Sequence, residues 1–268
     1  MNDPPGWSGG TFGERAVCVL APNRSPMTLD GTNTWVLREP GGRQSAVVDP
    51  GPLDEGHLAR VLDVAGDVGM VLLTHGHVDH SEAAGRFAEL AGCDVRALDP
   101  RHRVGSQGLQ DGDVVSVTGL EIAVVGTPGH TSDSLSFVVR GDRAVLTGDT
   151  VLGRGTTVVA HPDGRLGAYL GSLGRLRDLA YHAEVTRVLP GHGPVLDDAG
   201  VVIDHYLVHR RERLEQVSAA VAAGAVEPMD VVRVVYADVD RSLWPAAELS
   251  VRAQLDYLAE NGPSGRRA

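Results

Sequence analysis

The segment THGHVDH, residues 74–80, puts three histidines and an aspartate into seven residues. It follows the apolar run DVGMVLL and precedes SEAAGRFAELAG, whose spacing reads as a helix. The cluster therefore sits where a buried strand hands over to a helix. Burying such side chains without a common partner would strand several polar groups. In an extended segment His75 and His77 leave the chain on the same side and can grip one metal. Asp79 and His80 come where the backbone turns into the helix and can face a second. Imidazole and carboxylate are ordinary zinc ligands. A polar loop that only satisfies backbone groups does not account for so dense an H-x-H-x-D-H pattern at a strand end.

Three further short motifs fall at strand ends. TPGHTSDS places His130 after EIAVVG, LTGDT places Asp149 after RAVL, and LPGHGP places His192 after VTRV. Each alone reads as a turn. Together they offer His and Asp from four strand ends, the convergence that a binuclear pocket requires.

Ten short β-branched runs, from RAVCVLA to VTRVLPG, alternate with helical patterns over residues 53–65, 81–90 (closed by Gly92) and 166–181. VVRGDRAVL predicts a hairpin turning on Gly141 and Asp142. Hairpins mixed with strand–helix crossovers predict an α/β fold of mixed sheets with helices outside. After Pro194 the texture becomes helical: residues 198–223 predict one long helix, EPMDVVRVVYADVD a second and PAAELSVRAQLDYLAENG a third. Pro245 suits the first turn of the last helix, Gly262 its stop, and PSGRRA a frayed tail.

The motifs THGHVDH, TPGHT, GDT and PGHG, with VVDPG upstream, resemble the metallo-β-lactamase superfamily over about residues 15–195. The resemblance implies an αββα sandwich with the site at one edge of two sheets. It implies that His75, His77 and His130 hold a first metal, that Asp79, His80 and His192 hold a second, and that Asp149 bridges them. Asp49 then supports the ligands from behind, and Asn33, Thr156 and Thr157 line the substrate cleft. TLDGTNTWVL, GDTVLGRGTTVV, HYLVHRRERLEQV and VYADVDRSLWPAAELSVRAQLDYLAENG are similar to the β-lactamase-like protein 2 subfamily. That similarity implies a catalytic domain over residues 1–200 and a small helical, winged-helix-like C-terminal domain over 201–268. A homodimer is expected from the same kinship.

The expected cofactor is two Zn2+, with Mn2+ or Fe2+ compatible with the same donors. Two such ions about 3.5–4 Å apart share a hydroxide that serves as nucleophile, with Asp79 orienting it and moving a proton. This chemistry needs no serine or cysteine nucleophile. The oxidoreductase branch of the superfamily carries glutamate where His77 stands, so the histidine favours hydrolysis.

Charge bears on the substrate. All 24 basic residues are arginine, and 35 acids leave a formal net charge of −11. Such a chain repels polyanions unless its arginines cluster. A small ester, thioester or lactone substrate is expected first, and a single-strand-specific endoribonuclease second. Nucleic-acid binding through the last helix is disfavoured, because Arg252 is its one cation against several acids. His205 and His209, one turn apart but without the Glu of H-E-x-x-H, read as helix surface. HRRER, interrupted by Glu212 and followed by Glu215, reads as a solvated face. DPRHR reads as an exposed loop, with His102 near the pocket mouth as the alternative. MNDPPGWSGG lacks the basic and apolar regions of an export signal, no apolar run approaches roughly 20 residues, and Cys18 and Cys93 build no disulfide framework. A cytoplasmic location is expected, which disfavours antibiotic β-lactams as substrates.

Overall fold

The computed structural model describes residues 6–182 and 184–261. Gly262 as a helix stop and the tail beyond it lie outside the described residues. Strands β1 (Gly10–Phe12), β2 (Ala16–Leu20), β3 (Asn33–Leu37), β4 (Ser45–Val48), β5 (Val68–Leu72) and β6 (Asp94–Arg96) form one sheet in chain order. The second sheet runs β12 (Leu196–Asp197), β11 (Arg187–Pro190), β10 (Ala144–Gly148), β9 (Leu135–Val139), β8 (Leu120–Gly126), β7 (Val114–Val117). Both sheets are mixed. β4, β5 and β6 pair in parallel, as do β10 and β11, while the remaining neighbours are antiparallel.

Period-two alternation decides which side chains meet. Trp35, Leu37, Leu72, Ile122, Phe137 and Leu146 point inward and form the core between the sheets. Their neighbours Val36, Val47 and Val71 point outward under helices α1 (Glu55–Ala65) and α3 (Ala84–Ala91). Val138, Val145 and Val188 do the same under α4 (Leu166–Tyr181) and the start of α5 (Ala199–Ala222). β3, β4, β9 and β10 are buried along their whole length. Both faces of those strands are covered, which is why they read as continuous apolar runs. The architecture is the αββα sandwich expected.

Local signals match the helix ends. Asp54 caps α1 by accepting from the His57 amide at 2.6 Å, and Gly92 closes α3 in the left-handed region. The predicted helix over 81–90 divides into a short turn, α2 (Val78–Ser81), and α3. The hairpin after β9 is a tight helical turn over Arg140–Asp142, with the positive φ on Arg143 rather than on Gly141 or Asp142.

α5 belongs to two cores. Ala199, Ile203, Tyr206 and Leu207 pack on the sandwich, while Val217 and Ala220 pack with Val231 and Val232 of α6 (Pro228–Val235) and Ala247 and Val251 of α7 (Trp244–Asn261). One continuous helix thus carries the C-terminal helices against the body. Among the described residues no helix is long and apolar enough to cross a membrane.

His57 is a buried liability in this arrangement. Its ring is fully covered and its Nε2 lies 2.9 Å from the Thr34 hydroxyl. Burial, then the nearby Arg60 charge, pushes its pKa down to about 4. The folded chain therefore binds fewer protons than the unfolded chain below the ordinary value near 6.5. Stability is full above that pH and falls as pH drops toward about 4. Chemical denaturation at pH 7 and pH 5 should show the wild type losing about 2 kcal/mol more than His57→Gln. Equal losses would refute the assignment.

Candidate metal centre

Strand ends build the site. Asp49 follows β4, Thr74 and His75 follow β5, His130 follows β8, Asp149 follows β10 and His192 follows β11. Asp79 and His80 lie in α2. Three groups of donor atoms result, each group lying within 4.8 Å of itself: His75, His77 and His130; Asp79, His80 and His192; and His75, His80 and Asp149. Asp149 faces both ways. Its Oδ1 is 3.4 Å from Nε2 of His80 and of His192, and its Oδ2 is 3.7 Å from Nε2 of His130.

The far side of each ring determines what the near side offers. Nδ1 of His80 donates to Asp49 Oδ2 at 2.8 Å, Nδ1 of His130 to the Val158 carbonyl at 2.6 Å, and Nδ1 of His192 to the Gly31 carbonyl at 3.1 Å. Nδ1 of His75 meets the Thr74 hydroxyl at 3.0 Å, and that hydroxyl itself donates to Asp49 at 2.6 Å. A proton held on each Nδ1 leaves a lone pair on each Nε2. Those lone pairs converge. His75 Nε2 is 3.1 Å and His130 Nε2 is 3.0 Å from His77 Nδ1, and His80 and His192 face each other at 3.2 Å. Nitrogens this close need a cation between them, either a proton, as the raised His80 and His192 rings can hold, or a metal. Asp149 Oδ1 is buried and in no hydrogen bond; its neighbours at the junction are the Nε2 atoms of His80 and His192, both at 3.4 Å. Five imidazoles and two carboxylates in this arrangement fit divalent metal, zinc included.

Charge is segregated across the site. Burial pushes the His75 and His130 rings down, His75 well below the ordinary value. Burial opposes charge at His80 and His192 too, but Asp149, with Asp49 and Asp79 at His80 and with Asp79 at His192, overcomes it. His80 is held well above its usual value and His192 at about 9. Burial raises the two acids, and their histidine neighbours outweigh it: Asp79 sits at about 2 and Asp149 well below the carboxylate range. All the acid charge is therefore present at neutral pH to attract cations.

Asn33 does not line the cleft as expected. Its side chain is buried, and its Nδ2 donates to the Pro190 and Gly193 carbonyls at 2.9 and 2.8 Å. Both of its amide donors are spent on the loop that carries His192, so it braces that ligand from within. Thr156 and Thr157 do line the main cavity, and the Thr157 hydroxyl is 3.3 Å from His130 Nδ1. Nε2 of His102 lies where a Cβ on Gly76 would come within 2.5 Å, so that ring rests on the H-x-H loop. The backbone carbonyls of Gly31 and Val158 carry no sequence signal, because any residue type provides them.

Residues 27–192 match the Metallo-beta-lactamase superfamily, and residues 228–263 match the Beta-lactamase associated winged helix domain. The Beta-lactamase-like protein 2 homolog of Caenorhabditis elegans is 31% identical over 257 residues, covering 91% of this chain and 84% of that protein. The Atrochrysone carboxyl ACP thioesterase of Aspergillus chevalieri is 33% identical over 242 residues, covering 84% of this chain and 74% of its own. A Beta-lactamase domain protein from Burkholderia ambifaria shares the fold, with a TM-score of 0.79 at 24% identity over 97% of this chain and 92% of that one. This chain belongs to the metallo-β-lactamase superfamily and is one of its hydrolases.

Two substitutions test the geometry. Asp49→Asn keeps the shape but turns an NH2 toward donors, which frees the His80 ring to take the wrong tautomer. Metal affinity, read by chelator competition, should fall about 10–100-fold. A Cβ on Gly191 would stand 2.6 Å from Asp149 Oδ1 and 2.8 Å from the His80 ring. Gly191→Ala should therefore retain its far-ultraviolet dichroism and lose bound metal by elemental analysis. A fully loaded variant would show that the loop has room to move.

Proposed function

We propose that the chain is a binuclear zinc-dependent hydrolase of a small ester, thioester or lactone. The observation that carries this reading is the pair of donor triads joined by Asp149 beside a cavity of about 590 Å3, which His130 and Asp149 line together with Thr156, Thr157 and the C-terminal helices. His75, His77 and His130 would hold one Zn2+, and Asp79, His80 and His192 the other, with Asp149 between them. Mn2+ or Fe2+ suits the same donors. A bound pair of such ions supplies an acidified water and an electrophilic pull on the substrate oxygen.

The remaining steps belong to the chain's own groups. Asp79 is the most open of the three carboxylates, its side chain 31% exposed against 12% for Asp149 and 2% for Asp49. Its Oδ2 is 3.2 Å from His192 Nε2, which fixes its direction. Asp79 orients the attacking water and carries its proton toward the leaving group. Thr157 holds the His130 ring while Thr156 borders the space for substrate. The sandwich up to about residue 200 is the catalytic unit, and the helices beyond it close the cavity. The cavity's size suits a small acyl compound, and the name of the Aspergillus chevalieri relative favours a thioester.

Zinc-loaded protein should hydrolyse thioesters or esters, and Asp149→Asn or His77→Ala should reduce turnover by roughly a thousandfold or more, the scale on which parts of one catalytic unit fail. Cleavage of single-stranded RNA that vanishes in His77→Ala, with thioesters untouched, would replace this reading with the endoribonuclease. No turnover of thioester, lactone, phosphodiester or RNA would defeat the hydrolytic assignment to these substrate classes.

A further inference from the structure

α5 carries a second set of basic groups that the hydrolytic chemistry does not use. His205, His209 and Arg213 are spaced four residues apart and share one helix face, with Arg210 beside them. All four line the cavity that also contains His130 and Asp149. Their spacing reads as a solvated surface; His205 is indeed exposed, but the packed C-terminal helices half-bury His209 and Arg213 and bury Arg210. Arg210 is only 5% exposed.

Among the described residues neither arginine has a counter-ion. Arg210 donates to the Thr157 carbonyl and lies 4.9 Å from the Tyr169 ring centre, and its buried Nε has no hydrogen-bond partner. Arg213 donates to the Val235 carbonyl and lies 4.4 Å from the Tyr236 ring centre. Among the described residues no carboxylate forms an ion pair with either one. Elsewhere the chain does provide such partners: Arg154, on the same cavity wall, is held by Asp30 at 2.6 Å, and Arg15 by Glu39 and Asp142 at 2.7 and 2.8 Å. Asp149 is the one acid among the cavity-lining residues, and His80 and His192 already engage it. A guanidinium buried without an anion carries an uncompensated desolvation penalty. The charges acting on the half-buried His209 ring are those of Arg210, Arg213 and His205; after burial itself, they push its pKa down to about 4. This end of the cavity is therefore positive, with a neutral imidazole as an extra hydrogen-bonding group. Leu152, Val239, Leu243 and Ala246 supply apolar wall around it.

We propose that Arg210 and Arg213 form an anion-recognition site, and that the substrate is an ester or thioester bearing a carboxylate or phosphate on the part that lies against α5. The reaction rests on the hydrolase reading above; the anion site rests on the cavity alone. Guanidinium forks suit both anions, as paired charge-assisted donors.

The test uses the full, zinc-loaded chain. Arg210 supports the fold through Tyr169 and Thr157, so Arg213→Gln is the primary variant, with thermal melting to verify its fold. Two thioesters of equal length are compared, one of glutaric acid with its free carboxylate and one of pentanoic acid. The wild type should prefer the carboxylate by at least about tenfold in kcat/KM, the scale of one charge-assisted hydrogen bond, and Arg213→Gln should bring the ratio near one. Calorimetric titration with glutarate and with inorganic phosphate should show binding that weakens at least about tenfold in the variant. The tighter anion identifies which group the substrate carries. Arginine-dependent anion binding with no hydrolysis of either thioester would uphold the site and defeat the thioesterase reading. Equal hydrolysis of both thioesters by the wild type, or anion binding undiminished by Arg213→Gln, would overturn the proposal.

Discussion

The Asp49 carboxylate accepts from the Thr74 amide at 2.8 Å, the Thr74 hydroxyl at 2.6 Å and His80 Nδ1 at 2.8 Å. These three bonds tie the end of β4 to the end of β5 and to the start of the helical turn beyond it. They also explain how an acid can sit almost wholly inside the protein: every desolvated lone pair that matters has a donor. Asp49 adopts a left-handed backbone conformation, φ 51°, that aspartate tolerates better than most residues. The position is strained, and the three bonds hold it.

From that anchor the rest of the centre follows. A ring that gives its Nδ1 proton to a fixed oxygen presents a bare Nε2 in a fixed direction. His80 does so through Asp49, and His130 and His192 do so through backbone carbonyls. The oxygens belong to strand ends and to loops, and the His192 loop is braced by Asn33 and Trp35, both of which donate to the Pro190 carbonyl. Two sheets packed face to face bring five such ends to one edge, where no regular strand pairing competes for their side chains.

The C-terminal helices change what that edge can accept. α5 threads from the sandwich core into the small core of α6 and α7, so the roof of the cavity is continuous with its floor. Tyr206, packed on the sandwich, receives the Leu152 amide on its hydroxyl at 2.9 Å, and Ser250 of α7 accepts from the Val159 amide at 3.2 Å. The segment between Asp149 and α4, whose Val158 carbonyl orients the His130 ring, is thus held from the helical side. Arg252, the cation that a nucleic-acid reading of α7 would need, is paired with Glu248 on its own helix. The basic groups that matter lie instead on α5, facing the space above the metal centre.

Residue chemistry made much of this legible in advance. Histidine and aspartate at strand ends have few reasons to cluster apart from a cation, so THGHVDH and the motifs of His130, Asp149 and His192 stood out by their places at strand ends, while their division between two metals came from the family resemblance. Mixed sheets with helices outside were visible for a similar reason, because apolar runs of strand length with helical patterns between them must be covered; the αββα layering itself came from the family resemblance. Other roles depended on what packs where. Asn33 reads as a cleft residue, yet burial commits its amide to the His192 loop. The face of His209, Arg210 and Arg213 reads as solvated, because period and composition do not reveal whether a polar helix face meets water or a cavity. Carbonyls of Gly31 and Val158 orient two rings and leave no mark in the amino-acid alphabet. The sequence by itself determined the donors and the layers, because those are set by side-chain chemistry and by the period of the chain. Tertiary structure alone decided the tautomers, the cavity and the placing of Arg210 and Arg213 on its wall, because these depend on distances between segments far apart along the backbone.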